Sequence, residues 1–227
     1  MRFAITSVRY ADFLEASLPA WLAFLPAESL FVATSREDDE TRRVAADHGV
    51  ACVSTDAWTR RDPSCHQGGD PTFNLAYGLD TALGLDPAGV MPAPVPGEIV
   101  GHASADCVPF GTWPSEAAFD ADTVYAFWRY ECLTPKALAE HQTGLRPLSR
   151  FPRLKNTGGA PIGYCQIFRA TPGRRFGSWP TAGKFDTQFT KRFARSQMLP
   201  DAYFLHLGPI SVRANWGGRV VPKWGAA

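Results

Sequence analysis

Long hydrophobic runs are missing from this 227-residue chain, and with them any stretch of the roughly 20 apolar residues that a membrane-spanning helix needs. Paired cysteines are missing as well. Cys52, Cys65, Cys107, Cys132 and Cys165 are odd in number and widely spaced, with no C-x-x-C among them. That pattern argues against a cysteine zinc site and a disulfide framework, and for reduced thiols in a cytoplasmic setting. There is no internal repeat, and no Pro/Gly/Ser-rich linker divides the chain. A single domain over residues 1–227 is expected. Met1-Arg2-Phe3-Ala4-Ile5 reads as the start of a strand and not as a signal peptide.

Acidic residues are scarce in one part of the chain. Residues 141–227 carry 14 of the 23 lysines and arginines but only two acids, Asp186 and Asp201, while residues 1–140 carry the other 20. The near-zero net charge therefore hides two halves of opposite sign. Such a split points to a polyanionic partner docking on the basic half. It also fits two halves that attract each other inside one fold.

What is present reads as alternating strands and helices. Arg2 to Val8 is β-rich, and Leu14, Leu18, Trp21, Leu22 and Leu25 then recur at helical spacing until Pro26. Ser29–Thr34 forms a second buried strand. Ser35 is placed to cap a polar helix from about Glu37 to His48, and Val50–Val53 forms a third strand. This opening predicts a parallel, nucleotide-binding type of half-domain. A helix follows from Phe73-Asn74 to Leu83, with Gly84 suited to end it. Residues 85–97 form a Pro-rich loop. Later strands are expected at Thr123–Tyr130, Ile162–Phe168 and Tyr203–Gly208, with 144–159 as a basic surface loop.

The chain is organised around Ile99-Val100-Gly101-His102-Ala103-Ser104-Ala105-Asp106, a buried strand ending on a carboxylate, with Pro109 stopping regular structure beyond it. The carboxyl end of a central strand in an open α/β sheet is where ligands bind. A carboxylate there can hold a divalent cation, and the cation a diphosphate; Asp106 can equally cap the next turn. His102 is expected to be buried and hydrogen-bonded.

In this order and spacing the chain resembles glycosyltransferases of the GT-A fold. The resemblance rests on the β-α-β-α-β opening, on the Phe73-Asn74 helix followed by a strand ending in an Asp, on Ile162-Gly163-Tyr164-Cys165-Gln166-Ile167-Phe168, and on Gly183-Lys184-Phe185-Asp186-Thr187-Gln188-Phe189 leading to His206-Leu207-Gly208-Pro209. It covers about residues 2–210. Where many relatives carry Asp-x-Asp, this chain has Ser104 and Asp106, and Phe185 stands where a Glu is common. The resemblance implies an α/β, Rossmann-like GT-A fold with a mixed, mainly parallel central sheet flanked by helices. Residues 1–110 would form the nucleotide-sugar half and 111–227 a basic acceptor half. It further implies a metal-dependent transfer of a sugar from a nucleotide-sugar, UDP-linked, to an acceptor hydroxyl.

Site residues follow from that resemblance. Asp106 and His206 are the expected ligands of Mn²⁺ or Mg²⁺, although His206 can equally be a packed strand histidine. Thr6, Ser7, Thr34, Arg36, Asp39, Asn74 and Ser104 lie where base, ribose and phosphates would bind. Asp186 is the expected general base, kept ionised by surrounding cations, with a salt bridge to Arg192 or Lys184 as its other reading. Compact chains of this look include phage-encoded enzymes that decorate modified DNA bases. Arg174, Arg175, Trp179, Lys184 and Arg192 would then meet DNA, with 5-hydroxymethylcytosine as acceptor and the host cytoplasm as the place of action. Phe176, Trp179, Phe185 and Phe189 would stack on bases, or Phe185, Phe189 and Phe193 would form the inward face of a helix. A glycan or lipid-linked acceptor, and an inert nucleic-acid-binding domain, are the alternatives.

Overall fold

The computed structural model describes residues 1–55, 75–86, 89, 91–115, 118–154, 165–177, 189–208 and 224. Their order is β1 (Arg2–Thr6), α1 (Ala11–Phe24), β2 (Leu30–Ser35), α2 (Asp39–Asp47), β3 (Ala51–Thr55), α3 (Leu75–Leu83), β4 (Ile99–Ser104), β5 (Cys107–Gly111), β6 (Thr123–Cys132), α4 (Pro135–Gln142), β7 (Cys165–Arg169) and β8 (Arg195–Leu207). The strands form one sheet in the order β3-β2-β1-β4-β7-β6-β8-β5. β1, β2, β3 and β4 pair in parallel, as do β6 and β8, while β7 and β5 run antiparallel to their neighbours. This is the mixed, mainly parallel α/β sheet with flanking helices that the sequence implied.

Alternation along β1 explains the layering. Phe3 and Ile5 point to one face, where Leu14, Leu18 and Trp21 of α1 and Val44 and Ala45 of α2 pack. Ala4 points to the other face, against Leu79, Ala82 and Leu83 of α3 and the rings of Phe168, Phe176 and Phe189. Trp21 is fully buried, and its indole N–H donates to the carbonyl of Cys107 at 2.9 Å. That bond ties α1 to the strand just beyond Asp106 and satisfies the one polar group that burying an indole would otherwise strand.

The structure departs from the sequence reading at several joints. The cap of α2 is Asp38, not Ser35: the Asp38 carboxylate accepts the Thr41 N–H at 3.1 Å. The central strand ends at Ser104, and Asp106 sits in the tight turn to β5. Pro109 does not stop regular structure but lies inside β5, paired with Phe204. β5 is an edge strand of the sheet, where a residue without an N–H is tolerated. α4 went unforeseen because only Ala137 and Leu138 are buried along it, too few for a visible period. Its start was nevertheless written locally, with Thr134 as N-cap and Pro135 in the first turn. The expected strand at 162–168 begins at Cys165 among the described residues.

β4 is packed so closely against β1 that Gly101 has no room for a side chain. A Cβ there would stand 2.6 Å from the Phe3 ring and 3.1 Å from the Gln166 carbonyl oxygen. Gly101→Ala should therefore destabilise the chain by about 1–3 kcal/mol. Urea unfolding measures this, and an unchanged midpoint would contradict the packing.

Candidate active site

β2 and β3 lie on one side of β1 and β4 on the other, so the direction of strand order reverses between β1 and β4. In open parallel sheets this switch point, at the carboxyl ends of the strands, is where ligands bind. Here Thr6 and Ser104 are register partners across it. The Ala105 N–H donates to the Thr6 carbonyl at 2.9 Å, which carries the chain from β4 directly into the turn that bears Asp106.

Asp106 is the end of a chain of buried charges. Its Oδ2 lies 3.1 Å from His206 Nε2. The other ring nitrogen, Nδ1, lies 3.0 Å from Glu131 Oε2. Glu131 Oε1 in turn accepts from Arg129 Nε at 2.6 Å. None of the four residues is more than 5% exposed. The sheet dictates the arrangement. Arg129 and Glu131 are two apart on β6 and so share a face. His206 on β8 is the register partner of Glu131 on one side and of Cys107 on the other. A register shift near Ala126 and Trp128 brings the β6–β8 ladder into this alignment.

Burial is the largest influence on each titrating member, and the neighbours outweigh it. For Asp106, burial opposes ionisation. The His206 charge, hydrogen bonds from His206 and Ser104, and the more distant Arg129 nevertheless hold its pKa below the ordinary value. For His206, burial disfavours the imidazolium, but Asp106 and Glu131 together raise its pKa. Glu131 is likewise lowered against its own burial, by His206 and Arg129. Each shift favours the charged form, so that with His206 protonated the four side chains alternate cation, anion, cation and anion.

Among the described residues no group of three His, Cys, Asp or Glu converges as metal ligands. Two donors do converge, a carboxylate oxygen and an imidazole nitrogen, a set that suits Mn²⁺.

The other expected residues fall into three groups. Ser7 and Thr34 are fully buried and brace the ends of β1 and β2 around Asp38. Thr34 and Thr41 hydroxyls donate to Asp38 Oδ2 at 3.3 and 2.8 Å, and the Ser7 hydroxyl meets that of Thr41 at 3.2 Å. The backbone N–H of Arg9, held at a φ of 59°, donates to the same oxygen at 2.5 Å. A non-glycine residue in that region is an uncommon conformation, here just past the end of β1. Thr6 is half-buried and bonds the Ala103 carbonyl at 3.3 Å. Asp39 and the Arg36 carbonyl both hold Arg42 at the start of α2.

The cations expected to meet an acceptor are largely engaged within the fold. Arg174 pairs with Asp122 at 2.6 Å and lies over the Phe193 ring at 4.3 Å. Arg175 faces Asp86 at 3.8 Å, and Arg192 donates to the Arg175 carbonyl. Arg195 pairs with Asp120 at 3.2 Å, and Arg169 with the carbonyls of Phe119 and Gly97 at 2.6 and 2.7 Å. Of the two readings of the charge split, mutual attraction of the halves accounts for Arg174, Arg175 and Arg195, each paired with an acid of the first half, while Arg169 and Arg192 are held by backbone carbonyls. Phe189 and Phe193 are buried against Phe168, so they form an inward face. Asn74, Trp179, Lys184, Phe185 and Asp186 lie outside the described residues.

Two buried polar groups flank this region. His102 contacts Gln166 at 3.2 Å and is pushed by burial down to about 4, so it is neutral. Asp80 on α3 went unnoticed in the sequence, where it reads as one more polar position of an amphipathic helix. Its carboxylate accepts the N–H groups of Phe176 and Gly177 at 2.7 and 2.8 Å, fixing the backbone that leads toward residue 186.

No protein-family model matches the sequence, and no curated protein is significantly similar to it. Solved structures with loosely similar folds include glucosyl-3-phosphoglycerate synthase from Mycobacterium tuberculosis in complex with Mn²⁺, UDP and glucosyl-3-phosphoglycerate (TM-score 0.45, 11% identity, 96% of this chain and 76% of that one). They also include a putative glucose-1-phosphate thymidylyltransferase from Bacillus anthracis in complex with a sucrose (TM-score 0.42, 7% identity, 99% and 98%). A third is mannose-1-phosphate geranyltransferase from Thermus thermophilus (TM-score 0.34, 12% identity, 74% of this chain and 56% of that one). Superpositions this loose carry no argument about activity. Among the described residues no helix is long and apolar enough to cross a membrane.

Asp80 and His102 give opposite pH signatures. Burial raises Asp80 from 3.8 to about 6. The stability linked to it is fully present below pH 3.8 and is lost as pH rises through about 6. His102 is lowered from 6.5 to about 4, so its contribution is present above pH 6.5 and lost as pH falls through about 4. The two slopes offset each other, and a variant isolates one. The stability difference between wild type and Asp80→Asn should fall by about 2 kcal/mol between pH 4 and pH 6.5. Urea unfolding across that range checks it, and a pH-independent difference would contradict the assignment.

Proposed function

We propose that this chain is a metal-dependent nucleotide-sugar transferase of the GT-A kind, with Asp106 and His206 holding the cation and the switch point between β1 and β4 receiving the donor. The observation that carries the reading is the 3.1 Å approach of Asp106 Oδ2 to His206 Nε2 at the carboxyl end of the parallel strands. Hard oxygen and imidazole nitrogen together fit Mn²⁺ or Mg²⁺. When bound, such a cation neutralises the negative charge that grows on a departing diphosphate.

The residues of the chain divide the remaining work. Ser104, hydrogen-bonded to the Asp106 carboxylate, fixes which oxygen of Asp106 faces His206. Asp38, with Thr34, Thr41 and Ser7 around it, shapes the floor on which base and ribose rest. Thr6, Arg36, Asp39 and Asn74 are the groups assigned to the nucleotide itself. Asp186 is assigned as the base that takes the acceptor proton, and Asp80 holds the segment from which that region departs.

The finer reading is transfer to a 5-hydroxymethylcytosine in DNA. It draws on the cation excess after residue 140, and loses part of that support through the internal pairing of Arg174, Arg175 and Arg192. Lys184 and Trp179 are the remaining positions assigned to that acceptor. A glycan hydroxyl makes the same demand on Asp106, His206 and Asp186, and the experiment separates the two.

Labelled nucleotide-sugars, UDP-linked ones first, should be offered with and without Mn²⁺ to hydroxymethylated DNA, unmodified DNA and glycan acceptors. Transfer should require the metal and an acceptor hydroxyl. Asp106→Asn should lower metal-dependent turnover about 100-fold or more, by weakening cation binding. Asp186→Asn should lower kcat by about 10²–10⁴-fold with donor affinity unchanged, the scale of a lost general base. A chain that turns over no donor, or does so equally well in chelator, would overturn the transferase reading. Transfer to glycan but not to hydroxymethylated DNA would overturn the DNA acceptor alone.

A further inference from the structure

We infer that Glu131, anchored by Arg129, is a positioning residue that presents Nε2 of His206, and not Nδ1, to a divalent cation at Asp106. The inference rests on the metal-site reading proposed above and adds to it a residue that carries no ligand atom of its own.

The geometry is specific. An imidazole has two nitrogens, and a metal takes the one whose lone pair is free of a proton. Both nitrogens face a carboxylate here, Asp106 at Nε2 and Glu131 at Nδ1; a cation taken by Asp106 would displace the proton of Nε2, and Glu131 would keep the proton on Nδ1. Glu131 Oε2 lies 3.0 Å from Nδ1 and faces it from the neighbouring strand as its register partner. Nε2 is then the nitrogen turned toward Asp106, at 3.1 Å. A lone glutamate could rotate away from this task. Here its second oxygen is held by Arg129 Nε at 2.6 Å, and both side chains are buried, with 3% and 1% exposure. The backbone adds a further restraint, since the Glu131 N–H donates to the Pro152 carbonyl at 2.9 Å. Histidine ligands of metals commonly donate their far N–H to a carboxylate, and loss of that carboxylate costs about 10–100-fold in metal affinity.

A buried Glu–Arg pair can also be merely structural, holding β6 in place. The two roles differ in what they do to the cation. A structural pair leaves the choice of nitrogen untouched, whereas the positioning role requires Nε2 coordination and loses affinity when the carboxylate becomes an amide.

The test uses the full chain with Mn²⁺ and UDP as probes and reads binding and spectroscopy. Mn²⁺ affinity is measured by electron paramagnetic resonance titration for wild type, Glu131→Gln and Glu131→Asp, with circular dichroism as the check on fold. Glu131→Gln should bind Mn²⁺ about 10–100-fold more weakly, and Glu131→Asp, which keeps the charge, should recover part of the loss. Equal affinities in folded wild type and Glu131→Gln would overturn the role of Glu131 and leave the metal site standing. Wild-type chain that binds no Mn²⁺ would overturn the metal site and this role with it.

A second measurement needs no variant and so holds even if Glu131→Gln does not fold. Wild-type chain is prepared with histidine carrying ¹⁵N at either Nδ1 or Nε2, and the coordinated nitrogen is read from its electron spin echo modulation by bound Mn²⁺. Modulation from Nε2 is expected. Coordination through Nδ1, or no histidine nitrogen at all, would overturn the proposal.

Discussion

Four ionisable side chains stand in a row in the interior of this protein: Arg129, Glu131, His206 and Asp106. None could remain ionised there alone, because moving a charge from water into a protein interior costs several kcal/mol even after relaxation. Each is tolerated because the next has the opposite sign and lies within hydrogen-bonding distance. The row joins three pieces of chain: the β4–β5 turn, β6 and β8. The alignment of those pieces is therefore fixed chemically as well as by the sheet ladder. Removing any one member strands its neighbour, a loss of roughly 3–5 kcal/mol in comparable buried pairs. A protein seeking only stability would do as well with apolar residues at these positions, so their presence points to use.

The row is useful because of where it ends. Asp106 stands at the switch point of the parallel strands, beside Thr6 and Ser104. The helices on both faces, the Trp21 bond to Cys107 and the close seating of β4 on β1 at Gly101 all bear on the placement of that one turn. On the other side of β1, Asp38 collects donors from Arg9, Thr34 and Thr41 and so fixes the loop between β2 and α2. The fold thus brings two buried polar centres, around Asp106 and around Asp38, to the carboxyl ends of the parallel strands.

Much of this was legible in the sequence, and for a physical reason. β1, β2, β4 and the end of β8 from Tyr203 are apolar runs with period-two or buried patterns, and α1 has a clear apolar stripe; the first half of β8, from Arg195, is largely polar and exposed and was not read as strand. Those signals are local, so the α/β class and the importance of the segment ending at Asp106 could be read directly. Whatever depended on pairing between distant strands was hidden. Glu131 looked like an ordinary charge in a strand because only the β6–β8 register brings it to His206. Asp80 looked like a polar helix position because its partners, the N–H groups of Phe176 and Gly177, lie 96 and 97 residues away. The basic half looked like a docking surface because charge counts do not reveal that Asp120, Asp122 and Asp86 fold back onto Arg195, Arg174 and Arg175. Short elements were lost for another reason: α4 buries two side chains, below what periodicity can register.

The central claim is that Asp106 and His206 part to admit a cation that carries a nucleotide diphosphate. Crystals grown with Mn²⁺ and UDP, with data collected at the manganese absorption edge, test it most directly. The account predicts an anomalous peak between Asp106 Oδ2 and His206 Nε2, with diphosphate oxygens completing its shell and His206 Nδ1 still on Glu131. A nucleotide bound elsewhere, or bound here with the Asp106–His206 contact intact and no manganese peak beside it, would contradict the account.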